Sequence, residues 1–191
     1  GHKYIDKALE QGAAAIVCEE ASENIPAVIV KNSRKALAQI GANQFDHPAQ
    51  KLKMIGITGT NGKTTTTYLV KHVLESIGAK VGLIGTNQNM IGDEILETER
   101  TTPESYELQA LFDKMVKAGC THCIMEVSSH SLVLDRVYGV PFEVGAFTNL
   151  TQDHLDFHKT MEEYRKAKAI LFTICLLYTS YAADDLTRVD L

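Results

Sequence analysis

Apolar residues along the chain follow two rhythms, and the points where one gives way to the other mark its elements. Ile5, Ala8 and Leu9 recur at helical spacing before Gly12, and AAAIVCEE then reads as a short strand. PAVIV predicts a second strand. A helix is expected from Ser33 to Phe45, where Ala36, Leu37, Ile40 and Ala42 suit packing, and Asp46-His47-Pro48 stops it. From Lys51 the pattern becomes regular. KMIGIT is an apolar strand, GTNGK a glycine-rich turn, and Thr64 to Ile77 a helix ended by Gly78. KVGLIGT, HCIMEV and GAFTNL predict further strands. A helix over Pro103 to Ala118 carries Tyr106, Leu108, Leu111 and Met115 on its apolar side, and a last helix is expected from Met161 to Phe172.

Nearly continuous apolar strands alternating with helices call for a mostly parallel sheet covered on both faces, so the fold class is α/β. Residues 1–48 form a small α/β piece that opens on a helix, and part of its domain is expected to lie upstream. Residues 49–173 form an α/β nucleotide-binding domain. From about Ile174, ICLLYTSYAADDLTRVDL has no persuasive periodicity, and 174–191 is expected to be a non-native tail made by truncation or faulty assembly.

Composition narrows the function. A chain of 191 residues that is 45% hydrophobic buries a sizeable core and needs no disulfide scaffold. With 19 basic against 24 acidic residues, the net charge of -5 supplies no broad positive field for nucleic acid. No apolar run is long enough to span a bilayer, and the opening GHKYIDKALE lacks the apolar core of a secretory signal. Four unevenly placed cysteines suit a reducing cytoplasm. Cys120 and Cys123 form a CxxC without a second ligand pair nearby, which reads as buried thiols rather than a metal or redox site.

The most informative stretch is Gly56-Ile57-Thr58-Gly59-Thr60-Asn61-Gly62-Lys63-Thr64-Thr65. It follows a predicted strand and opens a predicted helix. Its glycines let backbone N–H groups turn inward while the helix behind points its positive end at the same spot, and phosphate is the ligand that suits this. Lys63 can reach between outer phosphates, Thr64 can offer its hydroxyl to magnesium, and Thr65 can help secure the turn. The spacing departs from GxxxxGK[ST] because Ile57 stands in place of the first glycine. Asn61 either bonds its own turn or contacts the nucleotide.

Glu126 ends the strand CIMEV, and ligands of open α/β sheets bind beyond such strand ends. A carboxylate there can hold magnesium beside a triphosphate. The segment Thr148 to His158 brings Asp153, His154, Asp156 and His158 to one loop. His154 is the candidate cation ligand, with Asp153 or Asp156 orienting its ring. His130 in Ser128-Ser129-His130-Ser131 suggests a hydrolase triad only weakly, because no GxSxG elbow is present; the hydroxyls better suit an anionic substrate. In the last helix Met161, Tyr164, Lys168, Leu171 and Phe172 share one face, with Lys168 near its centre. Lys168 either snorkels to solvent or is a partly desolvated amine with a lowered pKa, fit to bind phosphate or carry a modification.

Taken in order, GTNGKTT, TTPE, MEVSSHSL and NLTQDHLDFH resemble the Mur ligases of bacterial peptidoglycan assembly, in the branch that adds the third residue to UDP-N-acetylmuramoyl-L-alanyl-D-glutamate. The likeness spans nearly all of residues 1–172. Single motifs are shared with the folylpolyglutamate and cyanophycin synthetases; the set with EVSSH and DHLDFH is more specific. The resemblance implies an ATP-binding role for Gly59, Thr60, Asn61, Gly62, Lys63, Thr64 and Thr65. It implies contacts of Thr101, Thr102, Ser128 and Arg136 with the UDP-muramoyl dipeptide. Thr64, Glu126 and His154 would serve as magnesium ligands, and Lys168 would match the lysine that carbon dioxide converts to a carbamate for a second magnesium ion. Lys63, Glu126, His154 and Lys168 would then be the catalytic set. The implied reaction is ATP-dependent amide formation with diaminopimelate or lysine through an acyl phosphate, in the cytoplasm, by a monomer, serving wall growth, cell shape and division. The chain itself is expected to be inactive. The alternatives are a folylpolyglutamate-type ligase and a non-catalytic nucleotide-binding module.

Overall fold

A computed structural model describes residues 4–20 and 26–175. The tail expected over 174–191 lies outside these residues from position 176 onward.

The first piece holds α1 (Ile5–Glu10), β1 (Ile16–Cys18), β2 (Ala27–Ile29) and α2 (Ser33–Gln44), with β1 and β2 paired in parallel. Asn32 starts α2 by accepting the Lys35 N–H at 3.0 Å, which satisfies one of the free donors of the first turn. Phe45 caps the other end, and Pro48–Lys51 follows as a 3-10 turn leading into the main sheet.

Six strands make that sheet: β3 (Lys53–Thr58), β4 (Val81–Ile84), β5 (Asn89–Ile91), β6 (Glu94–Leu96), β7 (His122–Glu126) and β8 (Phe142–Phe147). Their spatial order is β6-β5-β4-β7-β3-β8. The four strands β4, β7, β3 and β8 run parallel, whereas β5 and β6 add antiparallel at one edge. The sheet is therefore mixed, and the expectation of a mostly parallel one holds for the run from β4 through β7 and β3 to the edge strand β8.

Period-two alternation sorts the strand residues between two layers. Ile55, Ile57, Val81 and Ile124 face α3 (Lys63–Ser76), where they meet Val70 and Leu74. Met54, Cys123, Met125 and Phe142 face the other side, packed with Phe112 and Met115 of α4 (Ser105–Lys117) and Leu171 of α7 (Met161–Thr173). Gly56 belongs to this second side, and a Cβ there would come within 2.9 Å of the Phe142 ring and 3.0 Å of Leu171. Cys120 and Cys123 are buried free thiols, as expected from their apolar setting.

Four local features differ from the sequence reading. The hairpin β5–β6 was not anticipated. The last strand begins at Phe142, three residues before GAFTNL. The serine-rich turn is the start of a short helix, α5 (Ser129–Val133), capped by Ser128 Oγ accepting the Ser131 N–H at 3.1 Å. A further single-turn helix, α6 (Leu155–His158), sits inside the acidic and histidine-bearing loop.

Candidate functional site

In the parallel part of the sheet β3 lies between β7 and β8, with Ile57 opposite Glu126 and Thr58 opposite Phe147. The loop after β3 is therefore flanked at the carboxyl edge by the end of β7 and by the segment after β8. That register brings residues far apart in sequence to one place.

The glycine loop is built as its residues suggest. Gly59 has φ +139° and Gly62 φ +84°, and a Cβ on Gly59 would collide with Thr148 Oγ1. Gly62 leads directly into α3, whose first turn leaves the N–H groups of Lys63, Thr64 and Thr65 without intrahelical acceptors. The segment after β8 fastens the loop from outside. Thr60 N donates to Asn149 O at 2.9 Å, Asn61 N to Asn149 Oδ1 at 3.0 Å, and Thr148 Oγ1 to Asn61 O at 2.6 Å. The Asn61 amide reaches across to Thr151 Oγ1 at 3.3 Å rather than to its own turn. Thr65 is exposed, and the Thr66 hydroxyl donates to Gly62 O at 2.8 Å.

Two lysines converge on one oxygen of this loop. Lys63 Nζ donates to Gly59 O at 3.0 Å and Thr60 O at 2.9 Å, and Lys168 Nζ donates to the same Gly59 O at 2.7 Å. Lys168 is 2% exposed, so it does not snorkel to water. Its ammonium lies 4.4 Å from the Tyr164 ring centroid, and the Tyr164 hydroxyl bonds Thr60 Oγ1 at 3.2 Å. Burial, reinforced by the charge of Lys63 and partly offset by Asp153, pushes the Lys168 pKa down to about 7. Burial also lowers that of Lys63, against the opposing pull of Glu126 and Asp153.

Glu126 shares the parity of Ile124 and so turns toward α3. It is 1% exposed, and its carboxylate accepts three neutral donors: Thr64 Oγ1 at 2.9 Å and Thr86 N at 3.0 Å on Oε1, and Thr86 Oγ1 at 3.0 Å on Oε2. Thr86 was not anticipated from sequence.

The TTPE loop lies beside it. Thr101 Oγ1 is 3.0 Å from Thr86 Oγ1. Thr102 is buried and donates its hydroxyl to Glu126 O at 2.9 Å, while Ser128 N donates to Thr102 Oγ1 at 3.2 Å. Arg136 donates to Thr102 O at 3.1 Å and pairs with Glu104 Oε1 at 2.8 Å. Arg100 pairs with the same Glu104. Thr101, Thr102, Ser128 and Arg136 thus form one hydrogen-bonded group around the end of β7.

The histidines make a ring cluster that adjoins Tyr164, whose ring centroid lies 6.1 Å from that of His154 and 5.1 Å from that of His158. His130 packs against His154, Phe157 and His158 at centroid distances of 5.0, 4.1 and 5.5 Å. Burial lowers the pKa of His130 and of His158. His158 Nε2 lies 2.8 Å from Ser129 Oγ, so this serine hydroxyl is held inside the protein. His154 is half exposed, adopts φ +51°, and brings Nε2 to 3.5 Å from Asp153 Oδ2. Among the described residues no three His, Cys, Asp or Glu side chains gather as a metal cage.

The donor set at Glu126 and Thr64 nevertheless fits a magnesium ion carried in with a triphosphate. Both are hard oxygen donors, and such an ion takes only one or two protein ligands besides phosphate and water. The second set fits less directly: Lys168 as an amine offers nitrogen, and becomes an oxygen ligand only as a carbamate.

An α/β domain with its glycine loop, buried carboxylate and paired lysines at the carboxyl edge of the sheet belongs to the Mur ligases: the Mur ligase middle domain matches residues 57–185. The chain is 63% identical over 175 residues to a Clostridium acetobutylicum UDP-N-acetylmuramoyl-L-alanyl-D-glutamate–2,6-diaminopimelate ligase, a match covering 90% of this chain and 36% of that protein. A solved structure of a ligase of the same description superposes with a TM-score of 0.77 at 31% identity, over 90% of this chain and 35% of that one. Mycobacterium tuberculosis folylpolyglutamate synthase, at 15% identity and a TM-score of 0.61 over 72% of this chain and 38% of its own, shares the fold. The chain spans about a third of the length of the curated relatives it matches.

Proposed function

We propose that this chain is the ATP-gripping part of a ligase that joins 2,6-diaminopimelate to UDP-N-acetylmuramoyl-L-alanyl-D-glutamate in the cytoplasm. The observation that carries the proposal is the grouping of Lys63, the free N–H groups at the start of α3 and the Thr64–Glu126 pair around the loop after β3. The loop is a phosphate loop in this reading, despite Ile57 in the first glycine position. Relatives such as those of Clostridium acetobutylicum and Clostridium tetani are named as 2,6-diaminopimelate ligases, which favours diaminopimelate over lysine as the added residue.

The reaction activates a carboxylate rather than a serine. The D-glutamyl side-chain carboxylate attacks the terminal phosphorus of ATP, the bond to the bridging oxygen breaks, and ADP leaves. The incoming amine then attacks the acyl carbon and loses its proton, and phosphate departs. The obstacle is repulsion between a carboxylate and a triphosphate. Lys63 lowers it: its ammonium has three protons, two engaged by Gly59 O and Thr60 O, and the third is available to a phosphate oxygen. The N–H groups of the α3 first turn supply fixed partial positive charge without reorganisation. Magnesium, when bound, would offset charge on the phosphates, with Thr64 and Glu126 as its protein ligands. Thr101, Ser128 and Arg136 would orient the acceptor.

Lys168 would act as a carbamate. Its lowered pKa leaves a substantial fraction of neutral amine at pH 7, which is the form that adds to carbon dioxide, and the carbamate nitrogen retains one N–H for Gly59 O. With His154 it would hold a second magnesium ion.

The reading is tested by calorimetric titration of ATP with magnesium into the chain and its Lys63→Met variant. Binding by the parent chain that falls at least about tenfold in the variant is expected, the loss of a charged hydrogen bond. No binding, or equal binding, would refute the nucleotide assignment. In a full-length protein carrying this sequence, Lys168→Ala should abolish ligation and a small carboxylic acid should restore part of it; undiminished activity would reject the carbamate.

A further inference from the structure

Glu126 is a buried carboxylate, yet among the described residues no lysine or arginine forms an ion pair with it. An ionised group in such a place is held by its hydrogen bonds, and their donors decide where its oxygens point. Two of the three donors come from one residue, Thr86, which grips Oε1 through its backbone N–H and Oε2 through its hydroxyl. The end of β4 presses close behind: a Cβ on Gly85 would lie 2.6 Å from Oε1. The carboxylate is therefore clamped in its plane.

The hydroxyl proton gives this clamp a direction. Thr86 Oγ1 has one proton, and in donating it to Glu126 Oε2 the oxygen can engage Thr101 Oγ1, 3.0 Å away, only as an acceptor. The bonds then run from Thr101 to Thr86 to Glu126, and from Thr64 to the opposite oxygen of the same carboxylate. Thr86 joins the TTPE loop to the carboxylate beside the glycine loop, across 15 residues of sequence on one side and 40 on the other.

We propose that Thr86 is a positioning residue that sets Glu126 for the metal-bearing nucleotide and transmits the arrangement of the TTPE loop to it. The proposal rests on the nucleotide reading of Glu126 given above. A threonine whose hydroxyl only filled space would be replaceable by valine, which has the same shape and keeps the backbone N–H.

The experiment is calorimetric titration of the chain with ATP, once with magnesium and once with a chelator, for the parent, Thr86→Val, Thr86→Ser, Thr101→Val and the Thr86→Val/Thr101→Val pair, each checked for a native urea transition. Thr86→Val should weaken magnesium-ATP binding by about tenfold, one hydrogen bond to a charged acceptor, and leave metal-free ATP binding within about twofold. Thr86→Ser should behave as the parent does. Thr101→Val should show a smaller loss of the same metal-dependent kind, and the double variant should bind no worse than Thr86→Val, because the outer link acts only through the inner one. Equal magnesium-ATP binding by Thr86→Val and the parent, or equal losses with and without metal, would overturn the assignment. Full additivity would overturn the transmission from Thr101. If Thr86→Val fails to fold, Thr101→Val decides the matter, and an unchanged metal dependence there would sink the proposal. A parent chain that binds no ATP would instead overturn the nucleotide reading itself.

Discussion

Lys168 shows how far one residue can be read from its neighbours. Helical periodicity places it on an apolar face because that information is local, and the structure buries it there. Its acceptor, Gly59 O, lies 109 residues away and depends on how α7 crosses the sheet, which periodicity does not encode. Thr86 was illegible for the same reason, since its importance comes from a carboxylate 40 residues on. The environment of Lys168 has a measurable effect on stability. In the folded chain its pKa stands near 7, against an ordinary value of 10.5. Between those values the unfolded chain binds more protons at this position, so unfolding free energy rises with pH across the window. Below about pH 7 the folded chain holds a buried cation and gains nothing from the shift. Urea unfolding at pH 7 and pH 9 should show a rise that Lys168→Met reduces by roughly 2 kcal/mol, below the ceiling of about 2.7 kcal/mol that two pH units allow for one proton. An identical pH dependence in the variant would contradict the burial argument.

Among the elements, the strands and helices around the site were the most legible, because nearly continuous apolar runs and 3.6-residue spacing leave few alternatives. The hairpin β5–β6 was missed although its signal is present: Gly92 and Asp93 separate two short runs, and Gly92 has φ +60°, which suits the first position of a tight hairpin turn. With three residues on each side, the runs were too short to stand out. The glycine loop was legible as a tight turn between a strand and a helix, while its fastening to Asn149 and Thr151 was not, because those bonds exist only once β8 pairs beside β3. Gly59→Ala tests this element. Its left-handed φ and the collision with Thr148 should destabilise the loop by about 1–3 kcal/mol and abolish ATP binding while the far-UV spectrum of the sheet and helices persists. ATP affinity equal to that of the parent would show that the loop geometry is not needed.

At the scale of the whole molecule, fold class and family could be read from the order of motifs, whereas the mixed character of the sheet could not. The chain matches about a third of the length of its curated relatives, and acyl transfer needs acceptor, amine and nucleotide held together. A phosphate-release assay with ATP, the UDP-muramoyl dipeptide and 2,6-diaminopimelate should therefore give no acceptor-dependent turnover from the 191-residue chain alone. Turnover comparable with that of a full-length relative would refute this.

The first piece and the central sheet meet through α2 and α4. Gly41 faces the Tyr106 backbone closely enough that a Cβ would lie 3.2 Å from its Cα, and the Phe45 ring packs against the Tyr106 ring at a tilt of 57° and a centroid distance of 5.4 Å. Asn32, the cap of α2, also donates to Asp135, next to Arg136, at 3.1 Å. Because α4 springs directly from the TTPE loop, these contacts tie the first piece to the root of that loop and, through Asp135, to the neighbour of the arginine that pairs with Glu104.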